Sequence, residues 1–278
     1  MNMDMTALAD AFSFDRAPVK ETTEDEVIRW MEHIAEVSNE KWGTLDKEDG
    51  YNCPKCRNRG EFFKVFHTNP ETCCFSYPFM SIVPCHCMEK RKVYHRSRMS
   101  GLPEGYTFET FRTTLDWQKD MRRLCERYLN DKAWKNGSWL YIGGSIGSGK
   151  SHIVSALARE LVYERNVHYM NWVRDARQLK AIVNEEPDYS TQLWKLWSAE
   201  VLFIDDFFKA NTITDADKRL AYDILNERYN SHKPTLFTSE LYIDEVPDEA
   251  ISGRIIERCG DYVMSIGRDE GKDMRRKC

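Results

Sequence analysis

A glycine-rich stretch that ends in a lysine and a serine has the residue types and spacing of a phosphate-binding loop. It matches GxxxxGK[ST], follows a strand-like segment at 138–142 and precedes a helical segment at about 150–164. In such a loop the glycines let backbone N–H groups wrap phosphates, Lys150 neutralises β- and γ-phosphate charge, and the Ser151 hydroxyl ligates Mg2+. A fortuitous glycine-rich turn does not explain the flanking strand and helix. We therefore predict that ATP and Mg2+ bind here, against Gly144, Ser145, Ile146, Gly147, Ser148, Gly149, Lys150, Ser151 and His152.

Two adjacent carboxylates follow a short apolar segment further along the chain. Residues 201–204 have the pattern of a buried strand, and Asp205 and Asp206 come directly after it. The carboxyl edge of a parallel sheet faces the crevice in which ligands bind. We predict that Asp205 holds Mg2+, directly or through a water, and that Asp206 orients or activates the attacking water. Paired acids at a strand end also occur in solvated turns, but that alternative weakens about 50 residues after a phosphate loop.

Six of the nine cysteines crowd into residues 53–87. Cys53 and Cys56 form a CxxC pair, Cys85 and Cys87 form a CxC pair, and four thiolates satisfy tetrahedral Zn2+. We predict a structural zinc site, because four protein ligands leave no open coordination position. One alternative is that the cysteines are simply buried as small apolar groups. The long loop between the two pairs also leaves other ligands open, namely His67, His86, Cys73 and Cys74.

Basic and aromatic side chains surround these cysteines. They suit a nucleic-acid surface, because cations meet phosphates and aromatic rings stack on bases. They suit equally the solvated exterior of a small metal-binding domain. The residues are Lys55, Arg57, Arg59, Lys64, Lys90, Arg91, Lys92, Arg96 and Arg98, with Phe62, Phe63, Phe66 and Tyr94 interleaved.

The composition is that of an ordinary soluble protein. Of 278 residues, 41% are hydrophobic and 31% are charged, and the mean hydropathy is -0.63, which excludes a collagen, a coiled coil or a disordered tail. The longest apolar runs fall far short of the roughly 20 residues that cross a bilayer. The first 15 residues contain acids and no base, unlike a secretory signal. We therefore expect a cytoplasmic protein whose cysteines bind metal rather than form disulfides.

Charge divides the chain into three regions. Residues 1–50 carry a net charge of -8, residues 51–101 carry +6, and the remainder carries -3. A basic module inside an acidic chain is one way in which a local nucleic-acid contact coexists with a low isoelectric point. We predict an acidic helical arm at 1–50, a zinc-binding domain at 51–101 and an ATPase domain at 102–278.

The acidic arm contains one strongly periodic segment. Apolar residues recur at helical spacing after a capping box formed by Thr23 and Glu26, which predicts an amphipathic helix of about 18 residues. The apolar stripe packs on the same chain or docks on a partner, and the spacing fits both. Its members are Val27, Trp30, Met31, Ile34 and Ala35.

From about residue 137 onwards, strand-like runs alternate with amphipathic segments. This alternation predicts an α/β fold with a parallel sheet and helices on both faces. The strand-like runs are 138–142, 167–172, 201–204, 235–239 and 262–266.

With both phosphate-site elements placed, residues 53–267 resemble the AAA+ helicase loaders of the DnaC/DnaI type, phage-borne ones included, and the related IstB-type ATPases that assist transposition. The resemblance implies a five-stranded AAA+ P-loop core preceded by a small zinc-binding domain, and no helical lid domain, since 38 residues follow Glu240. Beyond the two phosphate-site elements it rests on both cysteine pairs, on Ser100-Gly101-Leu102, on the segments 224–230 and 233–240, and on Gly253-Arg254-Ile-Ile-Glu-Arg258.

The resemblance also implies roles for two arginines. Arg258 takes the position of the arginine finger, which reaches the γ-phosphate bound to the adjacent subunit, and Arg254 is the alternative. On spacing alone, both arginines also suit an exposed helix with ordinary ion pairs to Glu257.

Glu240 departs from the pattern of the resembled family. It stands where a polar sensor residue is commonly Asn, and a carboxylate there repels a γ-phosphate unless Mg2+ or an arginine intervenes. Slow hydrolysis, or sensing by Thr238 or Ser239, is the expected consequence.

Further positions follow from the same resemblance. They are Arg275 and Arg276 for phosphate sensing near the terminus, Lys180, Lys209 and Thr212 for single-stranded DNA, and Phe108 and Phe111 beside adenine. Aromatic residues at this spacing more often belong to a hydrophobic core, and a basic tail is usually just solvated.

The resemblance implies an ATPase that is weak without its partners. It would load a replicative DnaB-type hexameric helicase onto single-stranded DNA during replication initiation, in a bacterial or phage-infected cell, and self-associate through AAA+ interfaces. Two alternatives remain: an IstB-like ATPase that assists DNA transposition, and a nucleotide-switched DNA-binding protein with little hydrolysis.

Overall fold

A computed structural model describes residues 23–66, 78–268 and 272–274. The chain divides into two compact units, Met1–Arg91 (unit 1) and Lys92–Cys278 (unit 2), and the division falls within a helix, Cys87–Ser100. Across the described ranges, no helix combines the length and the apolar character that a membrane span requires.

Unit 1 is built on a two-stranded antiparallel sheet. Its strands pair with Phe62 opposite Val83, and its longest helix precedes them in the chain. In chain order the elements are α1 (Glu24–Glu40), α2 (Leu45–Asp49), β1 (Glu61–Phe66), β2 (Phe79–Pro84) and the beginning of α3 (Cys87–Ser100).

The predicted helix of the acidic arm is confirmed as α1. The Thr23 N–H donates to the Glu26 carboxylate over 3.0 Å, as the capping box requires. The helix packs against β1, where the Asn39 side chain donates to the Phe63 carbonyl (2.8 Å) and accepts from the Phe63 N–H (2.9 Å). Ala35 is buried, whereas Trp30 is 61% exposed. One side of the helix therefore packs on its own unit, and the Trp30 side chain remains accessible.

Unit 2 contains the predicted five-stranded parallel sheet, in the strand order β4-β5-β6-β3-β7. The observed strands begin and end within two residues of the sequence-predicted ones. They are β3 (Leu140–Gly144), β4 (Val167–Asn171), β5 (Val201–Asp205), β6 (Thr235–Thr238) and β7 (Val263–Ile266). The helices are α4 (Asp116–Asn130), α5 (Lys150–Leu161), α6 (Trp172–Ala181), α7 (Asp188–Ser198), α8 (Asp215–Asn230) and α9 (Glu249–Cys259).

Side chains of the interior strand β3, which lies between β6 and β7, alternate between two hydrophobic cores, one on each face of the sheet. Leu140 and Ile142 pack with Leu157 of α5, whereas Tyr141 packs in a second core with Ile224 of α8. Because helices cover both faces, the strand is apolar and buried along its length rather than alternately polar. This packing fixes the carboxyl edge of the sheet, from which the phosphate loop and the acidic pair project.

Candidate nucleotide site and metal centre

The phosphate loop joins the carboxyl end of β3 to the start of α5, at the sheet edge where open α/β folds bind ligands. Gly144 and Gly149 have positive φ angles of 109° and 92°, which residues with a side chain rarely adopt. A Cβ at Gly144 would also lie 2.1 Å from the Ile266 carbonyl oxygen of the neighbouring strand. Glycine at these positions therefore permits the turn that presents backbone N–H groups at the amino terminus of α5.

The Lys150 side chain lies inside this loop. Its Nζ donates to the carbonyl oxygens of Gly144 (3.0 Å) and Ser145 (2.6 Å), and the residue is only 6% exposed. Burial lowers the pKa of Lys150 to about 8, although the carboxylates of Glu240 and Asp206 act in the opposite direction. A phosphate is a stronger partner for an ammonium than a carbonyl is, so the lysine is already placed where a nucleotide would engage it.

A pocket of about 200 Å3 opens beside the loop. Its walls add two residues that the sequence reasoning did not assign to the nucleotide, Tyr106 and Lys209. Gly144, Ser145 and Asp205 lie outside its lining. The lining residues are Tyr106, Ile146, Gly147, Ser148, Gly149, Lys150, Ser151, His152, Asp206, Lys209 and Glu240.

Asp205 ends β5 with its carboxylate fixed by two hydroxyl groups. Thr238 Oγ1 donates to Oδ1 over 2.5 Å, and the Tyr169 hydroxyl donates to Oδ2 over 2.9 Å. A carboxylate oriented in this way still has lone pairs for a metal. With the Ser151 hydroxyl at the start of α5, it offers the hard oxygen ligands that Mg2+ prefers.

Asp206 turns its side chain into the pocket. Its backbone is left-handed (φ 57°), a conformation that Asp tolerates, and its N–H donates to Thr238 Oγ1 over 3.0 Å. Burial, and then the charge of Asp205, raise the pKa of Asp206, which makes its carboxylate a stronger base. Thr238 thus contacts both acids and sets their relative position.

Lys209 lies between the second acid and Glu240. Its Nζ is 3.2 Å from Asp206 Oδ2 and 2.9 Å from Glu240 Oε1. Burial lowers the pKa of Lys209, but the two carboxylates outweigh burial and raise it. The cation beside Glu240 is therefore a lysine, where the sequence reasoning expected Mg2+ or an arginine. In the sequence, the i,i+3 spacing between Asp206 and Lys209 indicated that these two side chains can pair, but it gave no indication of the contact with Glu240.

An aromatic wall closes the other side of the pocket. The Tyr106 ring stacks on His152 with centroids 4.7 Å apart, and Phe111 meets His152 edge-on at 5.3 Å. Phe108 and Phe111 belong to the hydrophobic core, where they are 8% and 6% exposed. The core alternative for the two phenylalanines is therefore the one that the structure supports, and Tyr106, which the sequence reasoning did not assign, is the aromatic residue of this segment that lines the pocket.

A short segment near the carboxyl terminus contacts the phosphate loop. The Met274 N–H donates to the Gly147 carbonyl over 3.0 Å. A Cβ on Gly147 would lie 2.0 Å from Asp273 Oδ1, so this segment covers part of the loop. Arg275 and Arg276, expected from the resemblance to sense phosphate, lie outside the described residues.

Arg258 lies at the end of the sheet opposite the phosphate loop. The Trp139 N–H, just before β3, donates to the Arg258 carbonyl over 2.9 Å, whereas the phosphate loop follows the far end of β3. A strand rises about 3.3 Å per residue, so the length of β3 separates Arg258 from the loop of its own subunit. Its guanidinium donates to the Tyr229 carbonyl (2.7 Å) and covers the Tyr229 ring at 4.5 Å.

Arg254 lies one helical turn earlier on α9. It donates to Asn226 Oδ1 (3.0 Å) and lies over the Tyr222 ring at 4.8 Å. In the part of the chain that the structure describes, neither arginine pairs with Glu257, whose carboxylate accepts from the Tyr229 hydroxyl (2.8 Å). Aromatic and amide contacts, rather than the ion pairs that spacing suggested, hold Arg254 in place.

Three residues expected to contact DNA lie in the wall of one groove of about 530 Å3. Lys180, Lys209 and Thr212 line it together with the exposed Arg177. Lys180 is paired with Asp217, so part of the positive charge of this groove is already neutralised.

The candidate metal centre of unit 1 consists of four cysteines. The Sγ atoms of Cys53, Cys56, Cys85 and Cys87 all lie within 4.8 Å of one another, and all four residues are buried. Burial raises the pKa of Cys56, but the Gly60 N–H, 3.3 Å from its sulfur, and the neighbouring thiols outweigh burial and bring the pKa to about 7. Four thiolates in one buried cluster fit tetrahedral Zn2+. This donor set could hold the ion as a structural element.

Of the alternative ligands for this centre, the structure describes His86 alone. His86 stands between two of the cysteines in sequence but does not belong to the group. His67, Cys73 and Cys74 lie outside the described residues.

Three of the basic residues around the centre hold unit 1 together. Arg91 is 4% exposed and donates to both Asp49 carboxylate oxygens (2.5 and 2.6 Å). Arg57 and Arg59 donate to carbonyls in the last turn of α1, where a helix attracts positive charge. These arginines therefore have a structural use, and a nucleic-acid contact stays a prediction from the sequence.

A family model described as IstB-like ATP binding protein matches residues 85–262. In Bacillus subtilis (strain 168), the phage-like element PBSX protein XkdC is 32% identical over 233 residues, which are 78% of this chain and 82% of XkdC. The uncharacterized protein YqaM of the same organism is 32% identical over 202 residues, which are 66% of this chain but only 63% of YqaM. The crystal structure of the DnaC helicase loader aligns with a TM-score of 0.47 and 20% identity, over 59% of this chain and 97% of that one.

Proposed function

The chain belongs to the family of IstB-like ATP-binding proteins, and we propose that it loads a replicative DnaB-type hexameric helicase onto single-stranded DNA during replication initiation, under the control of ATP. The observation that carries this proposal is the pairing, in one chain, of a phosphate-binding site with a separate unit built on four clustered thiols. A loader needs one part that grips the helicase and another that responds to nucleotide. This chain has two units that suit those tasks.

ATP hydrolysis would use the side chains of unit 2. Lys150 and the loop N–H groups bind the β- and γ-phosphates, and Asp206 orients the attacking water and accepts its proton. Asp205 and Ser151 would hold Mg2+, which would supply neutralisation of the charge on the phosphates. Thr238 donates to the Asp205 carboxylate and accepts from the Asp206 N–H, so it fixes the relative position of the two acids. This chemistry is positioning and electrostatics, with no covalent intermediate on the protein.

Self-association would complete the site. Arg258 lies near the start of β3, whereas the phosphate loop follows the other end of this strand. Its guanidinium would therefore contact a nucleotide bound to a neighbouring subunit rather than one bound to its own. An arginine that reaches the γ-phosphate in trans stabilises the charge of the transition state. We therefore place Arg258 as the finger and keep Arg254, one turn away, as the alternative.

The helicase contact would lie on unit 1. Trp30 of α1 and Trp42 just after it are 61% and 63% exposed, and exposed tryptophans are frequent anchors of protein interfaces. The first turn of α1 is acidic, so a basic patch on the partner would complement it. The thiolate cluster supports this surface by fixing the unit on which α1 packs.

The test is capture of purified replicative helicase by the full chain in the presence of ATP. We expect Trp30→Ala/Trp42→Ala to reduce capture about tenfold or more, as the loss of interface anchors does. The matched control is Trp194→Ala, which removes an equally exposed tryptophan (65%) from α7 of unit 2. A second measurement follows transfer of helicase to circular single-stranded DNA. In that assay the Asp206→Asn variant should bind ATP and capture helicase but should not hydrolyse ATP.

Failure of every variant, the unmutated chain included, to capture helicase would contradict the loader proposal. A second candidate is the transposition-assisting ATPase, which the family match to the ATP-binding region favours. Capture of a transposase in place of helicase would support it. A nucleotide-switched DNA-binding protein is the third, favoured by Glu240 in the pocket, and absence of phosphate release even with DNA and partner would support that one.

A further inference from the structure

Glu240 is an unexpected group to find beside a phosphate loop. It follows β6 and lines the same pocket as Lys150 and Asp206. A carboxylate and a γ-phosphate repel each other, and water screens this repulsion poorly in a partly buried site. Some group in the pocket must offset the charge if ATP is to bind.

Lys209 supplies the offsetting charge. One ammonium bridges two carboxylates, at 2.9 Å from Glu240 and 3.2 Å from Asp206, and all three side chains are between 26% and 34% exposed. Arg268 lies nearby, but its guanidinium pairs with Glu245 and reaches only the backbone oxygen of Glu240. Lys150 in the same pocket also attracts Glu240, but its ammonium donates to the Gly144 and Ser145 carbonyls, so Lys209 is the cation in direct contact with the Glu240 carboxylate.

The fold holds the loop of Lys209 against the loop of Glu240. The Phe207 N–H donates to the Thr238 carbonyl over 2.8 Å, and Ser239 Oγ donates to the Phe207 carbonyl over 2.7 Å. Phe207 and Ser239 are fully buried. The two loops that follow β5 and β6 are thus tied together by buried hydrogen bonds, which fixes the distance over which the ion pair forms.

We propose that Lys209 and Glu240 act together as an ion pair in the hydrolysis site. Lys209 is a positioning residue that masks Glu240 from the γ-phosphate and keeps the Asp206 carboxylate directed at the attacking water. The inference rests on the proposed ATPase function and deepens it. It separates two effects: masking of Glu240 sets ATP affinity, and restraint of Asp206 sets the turnover rate.

The test measures ATP affinity and turnover separately in the full chain. Lys209→Met removes the charge, Lys209→Arg keeps it, Glu240→Gln removes the charge that needs masking, and Lys209→Met/Glu240→Gln removes both. The matched control is Lys195→Met, an exposed lysine of α7 outside the nucleotide pocket. Equilibrium binding of a non-hydrolysable ATP analogue gives Kd, and phosphate release gives kcat.

Lys209→Met should weaken analogue binding about tenfold, a size typical of coupling between contacting residues. The double variant should recover a Kd close to that of the unmutated chain, because no unmasked carboxylate remains at position 240. Its kcat should stay about tenfold low, because Asp206 has lost its partner. Lys209→Arg should restore both constants, and Lys195→Met should change neither. A purely structural lysine would not give this split between Kd and kcat.

Several results would overturn the inference. Unchanged analogue binding in Lys209→Met, no recovery of Kd in the double variant, or no analogue binding by the unmutated chain would each do so. Failure of the loader proposal gives a different pattern. In that case the chain captures no helicase, while the Kd values of the five variants still decide whether Lys209 and Glu240 act together.

Discussion

The Tyr169 hydroxyl donates a 2.9 Å hydrogen bond to Asp205 Oδ2 and so links the edge strand β4 to the carboxylate that we assign to Mg2+. Burial and the nearby charge of Asp205 raise the pKa of Tyr169, which therefore remains a donor at every physiological pH. Thr238 holds the other carboxylate oxygen from the opposite neighbouring strand, β6. The carboxylate is thus oriented from both sides before any metal arrives.

Tyr169→Phe should raise the Mg2+ concentration needed for half-maximal ATP hydrolysis by about tenfold, as loss of a partner of a metal ligand does. The physical reason is that the freed carboxylate oxygen can rotate away from the metal position. The measurement is a Mg2+ titration of phosphate release at saturating ATP. Tyr163→Phe, at an exposed position (61%), is the control. Identical titration curves for both variants would show that the hydroxyl has no part in metal binding.

ATP affinity should fall as pH rises above about 8, the pKa to which burial brings Lys150. Below that pH the ammonium is charged and attracts the phosphates, whereas above it the free protein holds a neutral amine and must take up a proton on binding. Each further unit of pH then weakens binding about tenfold, up to the higher pKa of the bound state. Isothermal titration with a non-hydrolysable analogue from pH 7 to 9.5 measures this. Lys150→Arg, whose charge does not titrate there, should give a flat profile, and a flat profile for the unmutated chain would refute the prediction.

Arg258→Ala should lower turnover about 1,000-fold or more without changing the ATP affinity of a single subunit, because the guanidinium acts on a neighbour. Lys150→Ala should be inactive because it does not bind ATP. A mixture of these two proteins should regain activity, since Arg258 of the second can serve the intact site of the first. Arg254→Ala in the same mixing experiment tests the alternative finger. If the mixture stays as inactive as its components, Arg258 does not act in trans.

Removal of the metal should affect unit 1 and spare nucleotide binding. The purified chain should contain about one Zn2+, because four thiolates fill a tetrahedral site. Cys56→Ser or a strong chelator should remove the Zn2+ and unfold the thiolate cluster. Unit 2 should still bind the non-hydrolysable ATP analogue. Cys125→Ala, in the core of unit 2, should retain its zinc. Elemental analysis with circular dichroism checks each point, and a metal-free preparation with an intact unit 1 would count against the zinc site.

Arg228 is a fully buried arginine whose guanidinium donates to backbone carbonyls, among them Leu196 (2.7 Å), Ala199 (2.9 Å) and Pro234 (2.7 Å). Arg228→Met leaves these buried acceptors without donors and should lower the free energy of unfolding of unit 2 by about 3 kcal/mol. Urea unfolding is the measurement. Arg219→Met, at an exposed position of the same helix, should change it by less than about 0.5 kcal/mol. Equal losses in the two variants would mean that burial at Arg228 contributes nothing specific.

Local patterns in the sequence predicted much of this protein. The GxxxxGK[ST] stretch lies between a strand and a helix as expected, the five parallel strands begin and end close to their predicted bounds, and the capping box at Thr23 begins α1. The two cysteine pairs also form one cluster. Apart from the meeting of the two cysteine pairs, which are distant in sequence, these features depend on residues within a few positions of one another, where chain geometry fixes which side chains share a face.

The contacts between residues that are far apart in the sequence depend on the tertiary structure. Lys209 meets Glu240, Tyr169 meets Asp205, and Arg258 lies at the far end of β3 from the phosphate loop. No spacing in the sequence predicts these relationships, because each involves segments whose relative position depends on the order of strands in the sheet. Strand order is set by packing helices on both faces of a twisted sheet, a balance of burial summed over the whole unit rather than a property of any local segment.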